Sequence, residues 1–381
     1  MDLDLTWLLW GLPLAFAAGW AASRVDLRQW RMESRQAPKA YFRGLNHLLN
    51  EQQDQAIDAF IEAVQGDPDT AELHFALGNL FRRRGDYDRA VRVHEHLMAR
   101  ADLSRQERDR AQHALALDFL KAGLLDRAEA ALHRLEGTAF EAEARLALLG
   151  IYERSRDWPQ AQAVAEKLDQ AQPGSFTARL AHYLCEQADA ALRDGQGDRT
   201  RALLDEAVHR APSLPRPWVA RAALRAQRDD ATGALDDLLA LARHAPQALP
   251  LAAAHLADLA SKTGRSNEAR QVLQAAQARA PSLDVTEVLA RLAPDPSAAR
   301  DTLMAHLQSE PSLVIAAQWL AGEPSLSGDA APAVRRALDQ ACGPLRRYRC
   351  AACGFEARQH FWQCPGCQAW DSYPARRVEE I

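Results

Sequence analysis

Residues Leu77 to Ala90 read LGNLFRRRGDYDRA, and this stretch shows most clearly how the chain folds. The small residue Gly78 is followed three positions later by the aromatic Phe81, and then by a glycine turn and an alanine. This order is typical of two short helices that cross at the small residue and are joined by the turn. The stretch therefore predicts a helix–turn–helix unit.

The same phrase recurs along the chain. A shift of 34 residues aligns residues 37–70 with 71–104, and the turn alanine then recurs at intervals of 34, 38, 33, 41, 32 and 35. The alanines of this series are Ala56, Ala90, Ala128, Ala161, Ala202, Ala234 and Ala269. The pattern resembles the tetratricopeptide repeat, with at least seven units and a degenerate eighth around Ala299 and Pro311. We expect an all-α superhelix over residues 37–340, whose concave groove binds peptides or protein segments.

Composition and motifs give little sign of catalysis. The chain of 381 residues is 48% hydrophobic and 25% charged, and its net charge of −5 gives no reason to expect nucleic acid as a partner. No phosphate-binding loop or hydrolase motif is present, so no enzyme activity is expected. His94 and His96 lie about 200° apart on a helix and are predicted to be surface or groove residues. Cys185 is predicted to be buried and Cys342 to be structural. Four residues of one first helix either line the groove or are solvated: Glu72, Asn79, Arg82 and Arg83.

Four cysteines near the end of the chain form two C-x-x-C pairs with ten residues between them. Cys350 and Cys353 make the first pair, and Cys364 and Cys367 make the second. Such pairs, on tight turns, can complete a tetrahedral site for one metal ion. Two disulfides or four unrelated core cysteines are the alternatives. Tetra-thiolate sites accept zinc or iron, and the sequence does not choose between them.

The segment 346–381 that contains these cysteines is too short to fold on its own core, so the ion must supply much of its folding free energy. We expect its aromatic residues to pack around the site, and His360 to take a surface or supporting position rather than to bind the metal. Gly343-Pro344 is expected to end the preceding helix. The basic run Arg346, Arg347 and Arg349 either docks on an acidic surface or is a solvated linker. C-x-x-C-G followed by C-P-x-C looks like a rubredoxin-type or zinc-ribbon fold.

The first 22 residues are predicted to be a membrane anchor. Residues 5–22 carry no charge and, as a helix, would span about 27 Å, close to the thickness of a bilayer core. Arg24, Arg28 and Arg31 follow this span, so the positive-inside rule places the juxtamembrane segment 23–36 and the rest of the chain in the cytoplasm. A cleaved signal peptide is the alternative, but the basic residues lie on the wrong side for it. A cytoplasmic location keeps thiols reduced and favours metal binding over disulfides.

An anchor, tetratricopeptide repeats and a rubredoxin-like module, in this order, resemble the lipopolysaccharide assembly protein B family over essentially the whole chain. The residues that carry the resemblance are Leu77 to Arg82, Gly85 to Ala90, Ala122 to Glu129, and Tyr348 to Trp370. The family's four metal cysteines correspond to Cys350, Cys353, Cys364 and Cys367.

The resemblance implies a single-pass adaptor of the bacterial inner membrane that controls lipopolysaccharide synthesis. It implies that the chain promotes degradation of the UDP-3-O-acyl-N-acetylglucosamine deacetylase by a membrane-anchored AAA+ metalloprotease. Other lipopolysaccharide synthesis and transport proteins are further implied partners, and a homo-oligomer stays open. One alternative is a membrane-bound electron-transfer protein with redox-active iron. The other is a nucleic-acid-binding zinc ribbon, whose support is the basic run at 346–349.

Overall fold

The computed structural model of the chain describes residues 15–20, 39–67, 69–322 and 331–381. Short helices follow one another from residue 39 to residue 345, and a small two-stranded sheet follows them. The helices are α1 (39–49), α2 (Gln53–Gly66), α3 (Ala71–Arg84), α4 (Tyr87–Ala99), α5 (Arg105–Ala122), α6 (Leu125–His133), α7 (Glu141–Ser155), α8 (Trp158–Ala171), α9 (Thr177–Arg193), α10 (Gly197–Arg210), α11 (Pro215–Gln227), α12 (Ala231–His244), α13 (Leu249–Lys262), α14 (Ser266–Arg279), α15 (Leu283–Arg291), α16 (Pro296–Ser309), α17 (Leu313–Ala321) and α18 (Ala331–Leu345). The strands β1 (Tyr348–Arg349) and β2 (Glu356–Ala357) are antiparallel.

The turns inside the repeats share one geometry. In each, a residue with positive φ ends the first helix, and five positions later a small residue is buried in the second helix. The pairs are Glu51 and Ala56, Gly85 and Ala90, Gly123 and Ala128, Arg156 and Ala161, Gly195 and Thr200, Asp229 and Ala234, and Gly264 and Ala269. The buried residues expose at most 1% of their surface. Close packing of the two helices therefore requires a small side chain at this position.

Six of the seven predicted alanines occupy this position, and the prediction for Ala202 is wrong. Ala202 is exposed, and Thr200 is buried in its place. The cause is the Gly-Gln-Gly sequence, in which Gly195 rather than Gly197 has the left-handed conformation that ends α9. Burial of the Thr200 hydroxyl is tolerated because it donates a hydrogen bond of 3.0 Å to the carbonyl oxygen of Gln196.

The chain divides into two compact units, Met1–Ser155 and Arg156–Ile381. In the first unit, α2 to α6 each pack against the next helix along the chain. In the second unit the helices from α8 onwards pack in the same sequential way, and a core cluster between α11 and α15 has Leu238 and Leu256 at its centre. Where a degenerate eighth repeat was predicted, α15 and α16 pack together, and Ala299 is partly buried against a core cluster that includes Leu303 and Ile315. The described helices thus form tetratricopeptide-like pairs, as predicted.

The spacing to His96 predicted a surface or groove position for His94, and this prediction is wrong. His94 is fully buried, and its Nδ1 lies 2.5 Å from an Oδ of Asp118 on α5. Arg82 of α3 donates to the other carboxylate oxygen of Asp118 at 2.8 Å, so the network joins three helices. Gly78 is required beside it, because a Cβ there would lie 2.5 Å from the His94 ring. The crossing residue of the quoted stretch therefore makes room for a buried histidine.

Two further expectations concern the ends of the repeat region. Gly343-Pro344 does not end the last helix, because α18 continues to Leu345 and closes with hydrogen bonds from Arg346 to Cys342 and from Arg347 to Pro344. Within the ranges described, no helix has the length and apolar character needed to cross a membrane. Residues 15–20 of the predicted span are helical, and the rest of the span and residues 23–36 lie outside the described residues.

Candidate metal centre

The two C-x-x-C pairs lie on two loops with matching hydrogen bonds. The amide of Cys350 donates to the carbonyl oxygen of Phe355 at 2.9 Å, and the amide of Cys364 donates to that of Ala369 at 2.9 Å. Four residues after the first cysteine of each pair, Gly354 and Gln368 adopt positive φ values of 77° and 61°. Each loop is therefore a tight knuckle that turns its two thiols to the same side.

The four cysteine sulfurs meet at one point. They all lie within 4.8 Å of one another, and the distances from Cys350 to Cys367 and from Cys353 to Cys364 are 3.8 and 3.7 Å. A tetrahedron of sulfurs around a metal at about 2.3 Å has edges of about 3.8 Å. A disulfide bond would need about 2.05 Å, and all four thiols are free. The geometry therefore fits one tetra-thiolate ion and not two disulfides.

The surroundings of the sulfurs favour thiolates at the two buried cysteines. Burial raises the pKa of Cys350, but its hydrogen bond with the Ser372 side chain and those from the N–H groups of Cys353 and Ala352 outweigh burial and lower the pKa to about 6. Burial also opposes ionisation of Cys364, but N–H groups from its own knuckle lower its pKa below the usual value. Thiolates are the ligand form that metals bind. The N–H groups of both knuckles thus prepare the site for a cation.

The pKa of the exposed Cys353 shifts the other way. The N–H of Phe355 lowers the pKa of Cys353, but burial and the neighbouring thiols of Cys367 and Cys350 raise it to about 12. Four thiolates in so small a volume repel one another, and a divalent cation would remove that repulsion. An ion at this point would be held by all four cysteines and would join the two knuckles, while Cys353 and Cys367 remain exposed at the surface.

His360 is not among the candidate ligands. Its Nε2 lies 3.0 Å from the carbonyl oxygen of Tyr373, and its ring meets that of Trp362 edge-on at 4.6 Å. Among the described residues, the four cysteines are the one group whose ligand atoms could hold a metal together. The prediction that His360 supports the site without binding the ion agrees with this arrangement.

The aromatic residues of the module were expected to pack around the metal site, and only some of them do. Tyr348 and Phe361 do pack beside Cys350 and Cys364, but Phe355 is 45% exposed. Trp370 turns outward instead, and its ring stacks on His182 of α9 at 4.6 Å. The module thus uses one of its largest side chains to contact the repeats.

Next to this stack, a buried histidine and an aspartate join the module to α9. Both carboxylate oxygens of Asp371 lie 2.9 Å from Nε2 of His182, whose side chain is completely buried. Burial lowers the pKa of His182, and the hydrogen bond to Asp371 only partly opposes this. No sequence signal links two residues 189 positions apart, so sequence reasoning missed this pair.

The last residues of the chain bind to the starts of two helices. The carboxylate of Glu380 accepts a hydrogen bond of 2.8 Å from the Leu283 amide at the start of α15. The carboxylate of Glu379 accepts one of 2.7 Å from the Ser312 hydroxyl and one of 3.2 Å from the Val314 amide at the start of α17. Helix N-termini bind carboxylates through free N–H groups and the helix dipole. The segment therefore caps α15, whose own N-cap residue makes no side-chain cap bond, and adds to the cap that Ser312 makes with Ile315 in α17.

Arginines of the module complete the contact. Arg377 donates to both carboxylate oxygens of Asp284 at 2.9 and 2.7 Å and covers the Tyr348 ring at 4.0 Å. The basic run predicted as a docking or linker segment is also paired, since Arg346 contacts Glu287 at 2.8 Å and Arg349 contacts Glu356 at 2.8 Å. Arg347 lies 3.5 Å from Glu356. These ion pairs leave the run little free positive charge for nucleic acid.

Comparisons with known proteins support both parts of the chain. Residues 348–373 match the family described as rubredoxin metal binding domain. The chain is 30% identical over 390 residues to lipopolysaccharide assembly protein B of Escherichia coli (strain K12), covering 100% of both chains. It is 27% identical to lipopolysaccharide assembly protein B of Haemophilus influenzae, covering 97% of both.

Solved structures with similar chains include other repeat proteins. The tetratricopeptide repeat protein from Parabacteroides merdae has a TM-score of 0.35 at 14% identity, and the match covers 68% of this chain and 98% of that one. YrrB, described as a TPR protein with an unusual peptide-binding site, has a TM-score of 0.35 at 16% identity, covering 49% of this chain and 92% of that one.

Proposed function

The chain belongs to the lipopolysaccharide assembly protein B family, and on this premise we propose that it is an adaptor of lipopolysaccharide assembly. The full-length match to relatives of that name carries the proposal. The repeats and the metal module support it, because both are binding structures and are held together by ion pairs and caps. In this proposal the chain has no enzyme activity of its own.

The proposed role is to bring a protease and its substrate together at the inner membrane. The substrate is the UDP-3-O-acyl-N-acetylglucosamine deacetylase, and the protease is a membrane-anchored AAA+ metalloprotease. An anchor at residues 5–22 would hold the repeats on the cytoplasmic side, close to the protease. Linking two binding events in this way raises the effective concentration to about the millimolar range and speeds degradation without catalysis by the linker.

Serine replacement of the exposed ligands tests the role of the metal module. We expect Cys353→Ser with Cys367→Ser to lose the bound metal and to lengthen the lifetime of the deacetylase severalfold, measured by immunoblot after protein synthesis is stopped. Ala352→Ser, in the same knuckle, is the matched control and should change neither quantity. A normal deacetylase lifetime in a chain that has lost its metal would show that the module is not needed for this function.

One observation favours electron transfer as a second candidate. Cys353 and Cys367 are exposed, so an ion held by them would lie near the surface and within reach of a redox partner. Protein purified from its natural membranes would then contain iron, and its colour would bleach reversibly with dithionite. Colourless protein that contains zinc would exclude this function.

A further inference from the structure

A row of cations lies on successive first helices of the unit Met1–Ser155. We call the helix that precedes each repeat turn the first helix, which in this unit means α1, α3, α5 and α7. Two positions before the turn residue stand Arg83 on α3, Lys121 on α5 and Arg154 on α7. All three are exposed. Three of the four first helices therefore carry a cation at the same point of the repeat.

These cations are free to bind a partner. None of Arg83, Lys121 and Arg154 forms a hydrogen bond or ion pair with another residue among those the structure describes. Neighbouring arginines of the same helices do form them, since Arg82 contacts Asp118 and Arg110 contacts Glu72. A cation in the last turn also stabilises its helix, because it interacts favourably with the negative end of the helix dipole. Interaction with the helix dipole does not explain why the cation recurs at one position of the repeat. A measurement must therefore separate this interaction from the binding of a partner.

Exposed apolar residues lie along the same face. At the position that corresponds to Arg83, α1 carries Leu49, which is 81% exposed. One turn or more before that position, Phe42 of α1 is 63% exposed and Leu146 of α7 is 51% exposed. Gly150 of α7 is also exposed, with no atom within 4 Å of the place where a Cβ would stand. An extended chain could approach the α7 backbone closely at this glycine.

In the unit Arg156–Ile381 the positions that correspond to Arg83 are also exposed, at Arg193 of α9 and Lys262 of α13. There the C-terminal module binds α9, α15 and α17 in their first two turns, through Asp371, Arg377 and Glu379. Charged side chains of the chain itself thus bind to repeat helices in this unit. In Met1–Ser155, no described segment lies over Leu49, Phe42 or Leu146, as their exposure shows.

We propose that the first-helix face of Met1–Ser155 binds an extended acidic segment of a partner protein, with carboxylates on Arg83, Lys121 and Arg154 and apolar side chains on the adjoining residues. Charge complementarity selects the acidic segment, because the row holds three positive charges and no compensating anion among the described residues. This inference deepens the proposed adaptor function, on which it rests, by naming the chemistry of the segment that the adaptor binds.

The test measures binding of a synthetic probe to the full chain in detergent micelles. The probe is a fluorescein-labelled peptide of Asp-Leu pairs separated by Ser-Gly, and its counterpart has Asn in place of Asp. We expect the Asp peptide to bind more tightly than the Asn peptide, and its affinity to fall as salt is raised. Arg83→Glu with Lys121→Glu and Arg154→Glu should weaken it at least about tenfold, since each exposed ion pair is worth up to about fivefold.

A control variant has the same change in net charge. Arg92→Glu with Arg105→Glu and Arg134→Glu alters exposed arginines outside the row and should leave the affinity of the Asp peptide within about twofold. Melting temperatures of both variants detect any loss of helix stability, and Arg83→Gln with Lys121→Gln and Arg154→Gln should give an intermediate affinity. Equal weakening in both triple variants, or equal binding of the Asp and Asn peptides, would overturn the inference.

Two other occupants of the face, a membrane surface and a basic segment, are distinguished by binding and crosslinking experiments. Phosphatidylglycerol vesicles that bind through the row while the Asp peptide does not would assign the face to the membrane and overturn the inference. A photocrosslinker at position 117 of the full chain in cells should capture segments rich in aspartate or glutamate, and basic segments would contradict it. Failure of these tests leaves the adaptor function standing, because the lifetime of the deacetylase is measured separately.

Discussion

At the scale of single residues, the repeat turns differ in how well their sequence suits their conformation. Gly85, Gly123, Gly195 and Gly264 have the left-handed conformation that glycine adopts without strain, but Glu51, Arg156 and Asp229 hold the same conformation with a side chain. A non-glycine residue in this region costs about 1–2 kcal/mol. The turns are therefore stable because of packing on both sides of them.

Exchange of the turn residues tests this cost. We expect Arg156→Gly to raise the free energy of unfolding by about 0.5–1 kcal/mol, since it relieves the strain but adds freedom to the unfolded chain. Gly264→Arg should lower it by about 1–2 kcal/mol, because nothing lies within 4 Å of the added Cβ and the cost comes from the backbone alone. Chemical denaturation of both variants gives the measurement, and equal signs would contradict the explanation.

A second prediction at this scale concerns the contact between His182 and Asp371. Burial lowers the pKa of His182 below its unfolded value of 6.5, so the unfolded chain binds more protons as the pH falls through that value. The stability of Arg156–Ile381 should therefore decrease between about pH 7 and pH 5. His182→Gln should be less stable at pH 7 but should lose less on acidification. Thermal melts monitored by Trp370 fluorescence measure this, and an unchanged pH slope would assign the effect to other histidines.

At the scale of elements, the C-terminal segment completes helices that lie about 66 to 97 positions earlier in the chain. The starts of α15 and α17 receive their caps from Glu380 and Glu379, and the N-cap residue of α15, Ser282, makes no cap bond with its own side chain. An element boundary in the repeats is thus determined by residues from another part of the sequence.

Removal of the Glu379 carboxylate should therefore loosen the start of α17, which lies far from it in the sequence. Glu379→Ala should reduce stability by about 1–2 kcal/mol, the usual cost of a lost N-cap. Amide hydrogen exchange should speed up at Leu313 and Val314, at the start of α17, because both amides donate to Glu379. Glu310→Ala, an exposed glutamate near the end of α16, is the control and should leave these amides protected. Protection that is unchanged in Glu379→Ala would show that water caps the helix equally well.

The same elements show what the sequence could predict. Spacing identified six of seven turn alanines, because close helix packing demands a small residue at a fixed distance from the turn. The spacing failed at Ala202, because Gly195 and Gly197 offered two places for the turn. Thr200 could be buried instead, because its hydroxyl donates a hydrogen bond to a backbone carbonyl oxygen. The four cysteines were identified for a local reason, since each pair lies on one tight turn. The contact of Asp371 with His182 is non-local and left no such pattern.

At the scale of the whole molecule, a metal ion at the four cysteines would keep folded the module that contacts several repeats. A structural zinc ion contributes about 10–16 kcal/mol to folding in small domains, far more than any single contact of the module. We expect a chelator to unfold residues 346–381 and to release Trp370, Asp371 and Arg377 from the repeats.

Limited proteolysis with and without the chelator measures this change. New cleavage sites should appear between residues 346 and 381 after metal removal, while residues 39–155 keep their pattern. Addition of zinc should restore protection. Protection that persists after the metal has been removed and quantified would show that contacts with the repeats alone hold the module folded.

The attachment of one module to α9, α13, α15 and α17 also limits how this part of the chain can evolve. Open repeat arrays can gain or lose a unit, because each repeat contacts only its neighbours. Here a duplicated or deleted pair between α9 and α15 would move Asp284 away from Arg377 while Asp371 stayed on His182. The module therefore fixes the distance between the helices that it contacts. We expect relatives that keep these contacts to keep the same number of repeats between α9 and α17.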